Sequence, residues 1–138
     1  MLLVTVAIVG ILFVTAMQNY LPTLKSFESG SGDRPSFRLD ISRAQMQELH
    51  RTEVLYYSLH RTYATWDQLM SDGMIAPGYS NRAQGGGTPF IPVYDINIEI
   101  TPNGFTITAT PSLSAGASPG MPILRIDQEG ALEEVPTK

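Results

Sequence analysis

The sequence contains no cysteine, which excludes a disulfide framework, thiolate metal sites and a cysteine nucleophile. That absence leaves the compartment open, because exported proteins without disulfides are common. Positive charge is scarce as well. Nine Lys and Arg stand against thirteen Asp and Glu, and a net charge of −4 argues against a nucleic-acid binder, which would need a basic face. Histidine occurs only as His50 and His60. Ten residues apart rather than three or four, they do not make a metal pair on one helix face. The most telling absence is local: no charged side chain precedes Lys25.

What fills that uncharged stretch is aliphatic. Met1 to Met17 reads MLLVTVAIVGILFVTAM, broken only by Thr5, Gly10 and Thr15, and the run continues through Gln18, Asn19 and Tyr20 to Leu24. Twenty helical residues span roughly 30 Å, the thickness of a bilayer's hydrocarbon layer. A secretory signal would begin with a basic region and end at a small-x-small site, and neither is present. A buried core helix seldom runs this far without a polar face. Residues 1–24 are therefore expected to form a membrane-inserted helix, or one packed among copies of itself. Tyr20 would lie at headgroup depth and Lys25 in water just beyond.

The string LLVTVAIVGIL from Leu2 to Leu12, followed by Asn19-Tyr20, resembles the N-terminal helix of type IV pilins and type II secretion pseudopilins. The family reads E-L-L-V-x-V-A-I-I-G-I-L, with P-N-Y about half a dozen residues on. There are two departures. Gln18 stands at the family's proline, so the kink expected there is absent or moved towards Pro22. Met1 stands at the family's glutamate, which implies either a member that never carried it or a chain in trimmed form. The pairing the family builds between that glutamate and a neighbour's amine is not carried over. The resemblance implies that Leu2, Leu3, Val6, Ala7, Gly10, Ile11, Phe13 and Val14 make the assembly surface of the helix.

Beyond the helix, residues 25–39 mix Gly, Ser, Pro and alternating charges, and Gly30, Gly32 and Pro35 argue for an interruption: a hinge or an ordered loop. Ser42-Arg43-Ala44-Gln45 fits a capping box that opens a second helix over 40–63. Met46, Leu49, Tyr56, Leu59 and Tyr63 would form its apolar stripe, with Glu48, Arg51 and Arg61 off it. Thr65-Trp66-Asp67-Gln68 is a second capping box for a short helix over 66–72, and Gly73 is placed to end it in the left-handed conformation. The period then changes to two. Tyr94, Ile96, Ile98 and Ile100 alternate with polar residues, Thr101-Pro102-Asn103-Gly104 is a turn with positive φ supplied by Asn-Gly, and Phe105, Ile107 and Ala109 return. Residues 123–126 and 131–135 complete three or four antiparallel strands within 93–135.

This order repeats the family's pattern. Tyr63 to Ile75 is similar to its Y-x-(T/S)-x-x-x-L-x-x-x-G-x-I passage, Gly104 to Pro111 to its strand ending x-A-x-P, and Ile126-Asp127 with Gly130 to its (I/L)-D-x-x-G turn. The expected fold is α+β and pilin-like: a hydrophobic helix over 1–24, a linker over 25–39, and a globular head over 40–138 with its helix packed on an antiparallel sheet.

Chemistry is thin. Gly85-Gly86-Gly87 lacks the Gly-Lys-Ser/Thr ending of a phosphate loop, and Ser112, Ser114 and Ser118 have no G-x-S-x-G frame. Asp127, Glu129 and Glu133 or Glu134 are either a hard-cation site, as the resemblance allows, or a solvated edge that discourages strand addition. The aromatics read as core and membrane-interface residues rather than an electron path. No catalytic, cofactor or metal residues are expected, and no enzymatic activity. Residues 25–61 carry six basic and five acidic groups, whereas 62–138 carry three and eight, so the sheet surface should be acidic while the helix meets neighbours through mixed pairs. The resemblance implies a structural subunit of a pilus-like filament or pseudopilus. Its partners would be copies of itself or other pilins, the inner membrane before assembly, and the assembly machinery. The alternative is a single-span anchored periplasmic module that never polymerises.

Overall fold

Pro35 opens a long helix instead of breaking one. The computed structural model describes residues 35–82 and 86–137, and its first element is α1, Pro35–His60. At the first helical position proline's missing N–H costs no hydrogen bond and its fixed φ suits the helix. The expected linker over 25–39 is therefore corrected at its end, since 35–39 are helical. The expected start at Ser42 is corrected too. Ser42 is buried inside α1 and its hydroxyl donates to the Arg38 carbonyl at 2.8 Å, a bond available only to a residue with a helical turn already behind it.

The other end also falls short of expectation. α1 stops at His60 rather than 63 because Arg61 turns into the left-handed region at φ +60°, where its N–H still donates to the Tyr57 carbonyl at 2.8 Å. A short α2, Trp66–Ser71, follows. Gln68 N–H donates to the Thr65 hydroxyl, and the Gln68 side-chain oxygen accepts from Thr65 N–H. Gly73, at φ +72°, closes α2: its N–H reaches the Met70 carbonyl and that of Met74 reaches Leu69. This is a Schellman ending, and glycine adopts that φ without a Cβ penalty.

Two short parallel strands, β1 (Tyr79–Ser80) and β2 (Thr88–Pro89), precede the main sheet. That sheet is an antiparallel meander of β3 (Tyr94–Thr101), β4 (Gly104–Pro111), β5 (Ile123–Asp127) and β6 (Leu132–Val135), paired in chain order. The β3–β4 turn corrects one expectation. Neither Asn103 nor Gly104 has positive φ. Pro102 occupies the first central position and holds φ negative, so the turn belongs to the ordinary family rather than the mirror-image one. Gly104 is already a strand residue opposite Thr101.

Residues 38–138 form one compact unit. Within it α1 packs on one face of the sheet. Met46, Leu49 and Tyr56 from the helix and Trp66 and Leu69 from α2 share a core with Ile96, Phe105, Ile107, Ala109, Leu124 and Ile126. Phe105 is central, with ring centroids 5.6 Å from His50 and 4.8 Å from Tyr63. Tyr94 is buried at the start of β3, opposite Pro111 and away from Phe105, its hydroxyl donating to the Pro122 carbonyl, and burial pushes that phenol up to about 12. Among the described residues no helix is long and apolar enough to cross a membrane.

Candidate functional site

The inward stripe of α1 carries, besides Ser42, one ionisable residue that does not belong to a hydrocarbon face. Met46, Leu49, Glu53 and Tyr56 follow at intervals of three or four, and Glu53 is as fully buried as Leu49. Its Oε2 accepts from Ala64 N–H at 3.0 Å, while Oε1 is buried with no hydrogen-bond partner. Desolvation pushes the carboxyl up to about 7, and the Ala64 bond works against that rise. Beside it, the Tyr56 hydroxyl donates to Asp72 at 3.0 Å and its ring stacks on His60 with centroids 4.2 Å apart. The Asp72 hydrogen bond, burial and the charges of Asp72 and Glu53 raise the Tyr56 phenol. In the sequence Glu53 is one of the five acidic groups of residues 25–61. Its spacing, four residues after Leu49 and three before Tyr56, was the available signal.

The outward side of the same helix shows the converse. Leu59 is 64% exposed and Leu55 53%, with Val54 and Tyr57 beside them. The expected stripe is corrected at Leu59, which is exposed on this outward side beside Leu55. Arg43, further back, ties α1 to β6 by donating to Glu134 while also pairing with Asp40.

The sheet's outer face is polar. Cross-strand register sets Glu99, Thr106 and Asp127 in one row and Asn97, Thr108, Arg125 and Glu133 in the next. Five of these residues, with Thr101 and Ala131, line an open depression of about 470 Å³. The acidic turn does not gather its carboxylates. Strand alternation puts Glu133 on the outer face and Glu134 on the helix side, against Arg43, and Asp127 Oδ1 accepts from Glu129 N–H at 2.9 Å. Among the described residues no three His, Asp or Glu are placed to hold a metal ion.

The assembly residues Leu2, Leu3, Val6, Ala7, Gly10, Ile11, Phe13 and Val14, and the interface residues Tyr20 and Lys25, lie outside the described residues. Comparison of the chain with protein-family models, with curated proteins and with solved structures gives no match.

Proposed function

We propose that the chain is a structural subunit of a type IV pilus-like filament or a type II secretion pseudopilus, assembling through its N-terminal helix. The observation that carries this proposal is the uncharged run over residues 1–24, with its A-I-V-G-I-L core and spaced Asn-Tyr, set directly before a head rich in charge. An uncharged helix of that length is rejected by water. It is stable in lipid or against other apolar helices, and moving it from the first to the second keeps it dry throughout. The head supports the proposal at the level of fold class: one long helix covers one face of a four-stranded antiparallel sheet. Its opposite face, with Glu99, Asp127 and Glu133, suits a surface turned to water. The partners in this proposal are further copies or other pilins, the inner membrane before assembly, and a pilus or secretion machine. The end point is an extracellular filament or a periplasmic pseudopilus, and no catalytic step is assigned.

The chain has no cysteine, so single-cysteine forms such as Val6→Cys and Phe13→Cys give clean cross-linking in cells. A ladder of multimers is expected. Monomer alone at both positions would favour the anchored, non-polymerising module, for which Gly30 and Gly32 would serve as a tether.

A further inference from the structure

We propose that Glu53 is a proton-operated latch: its neutral carboxyl holds the 61–65 connection against α1, and its ionisation releases that connection. This goes beyond the filament proposal and does not depend on it.

The geometry is that of a pin between two segments. Glu53 lies on α1, and its one hydrogen bond crosses to the backbone of Ala64, the residue just before the Thr65 cap of α2. Its second oxygen has no partner in a site with no solvent exposure. A neutral carboxyl tolerates such a place, because Oε2 accepts from Ala64 whichever form is present and only one O–H remains to be satisfied. A carboxylate does not. It has lost water on all sides and received one backbone N–H in return. The site does not compensate the charge, since among the described residues no ion pair includes Glu53.

Relief comes from whichever bordering segment opens most easily, and that is the connection. Arg61 holds a left-handed φ of +60° without being glycine, Arg61 and Thr62 are exposed, and Tyr63 is only half-buried. Its ties at the α1 side are the Arg61 bond to Tyr57, the Tyr63 ring against Tyr57 and Phe105, and the Glu53 bond itself, while Ala64 is buried in the core and Thr65 is held by the Gln68 capping bonds. On the flanking elements, β4 and α2 are held by the sheet ladder and the Trp66–Phe90 contact. The charged and ionisable groups bordering the pin are Tyr56, Tyr57 and His60 on α1, with His50 a turn before, and Arg61 and Tyr63 on the connection itself. Asp72, at the end of α2, holds Tyr56. Burial raises the Glu53 carboxyl from 4.5 to about 7, so the hold on the connection weakens as pH rises through that interval and stays weakened above it.

The test is residue-resolved amide hydrogen exchange on the full chain in non-ionic detergent at pH 5.5 and 8.5, with protection factors referred to β4 amides. Protection at Ala64 and Thr65 should fall about tenfold or more at the higher pH, the change carried by one pKa unit. Glu53→Gln should abolish that fall, whereas His50→Asn, His60→Asn and Asp72→Asn should each keep it. Carboxyl carbon NMR of the unsubstituted chain gives an independent reading, with a Glu53 midpoint near 7. Protection that does not change with pH, a change that survives Glu53→Gln or vanishes in a histidine or Asp72 variant, or a Glu53 midpoint at the ordinary carboxylate value would each overturn the latch.

Discussion

Leu49 and Leu59 offer a controlled contrast, because the same side chain occupies two positions on one helix with opposite surroundings. Leu49 is fully buried between α1 and the sheet, whereas Leu59 is 64% exposed. Leu→Ala at both positions changes intrinsic helix preference alike, so the difference between the two variants isolates burial. Truncating a fully buried leucine removes its transfer free energy and leaves a cavity, which together cost about 2–5 kcal/mol. At Leu59 the expected change is within about 0.5 kcal/mol. Domains of this size have a stability of about 5–15 kcal/mol, so Leu49→Ala removes a large share. Urea unfolding in non-ionic detergent reads the difference through Trp66, the single tryptophan, which is buried edge-on to Phe90. With a slope of about 1–3 kcal/mol per molar, the Leu49 midpoint should drop by about 1–3 M and the Leu59 midpoint should stay in place. Equal losses would mean that the last turn of α1 is covered like the middle, and the helix-on-sheet register described above would be wrong.

Further outcomes follow from the same structure. The Glu53 carboxyl is raised from 4.5 to about 7 in the fold, so the native state holds its proton more tightly than the unfolded chain. The Glu53 contribution to stability is therefore greatest below about pH 4.5 and declines by up to about 3 kcal/mol until pH 7, then levels; the difference between urea titrations of the unsubstituted chain and Glu53→Gln across that range should show the decline. Arg61→Gly should stabilise the head by about 1 kcal/mol in thermal or urea melts, since glycine carries no Cβ penalty at φ +60°. Thr65→Ala should cost about 1 kcal/mol by removing the cap of α2. Glu134→Ala should cost less than about 1 kcal/mol, and less still in high salt, because the Arg43–Glu134 pair is more than a third exposed on both sides.

Much of this fold is legible in the sequence because local rules and tertiary packing agree there. The Thr65 capping box, the Gly73 ending and the two-residue alternation from Tyr94 to Ala109 all depend on neighbours within a few positions. The failures occur where a residue's role is set from further away. Ser42 has the chemistry of a cap, yet Pro35 starts the helix two turns earlier and turns that hydroxyl inward. Leu59 follows Tyr56 at the stripe's three-residue spacing, yet it falls with Leu55 on the exposed side of the helix. Asn-Gly normally signals positive φ, and Pro102 overrides it. Glu53 was hidden by its charge: its position on the stripe is plain, but only the approach of Ala64 explains how a carboxyl is held there.

The most direct measurement is electron microscopy of the purified full chain after detergent removal, beside a form that lacks residues 1–24. The intact chain should form thin filaments and the shortened one should remain a dispersed head. Dispersed particles from the intact chain, or filaments from the shortened one, would contradict assembly through the leading helix.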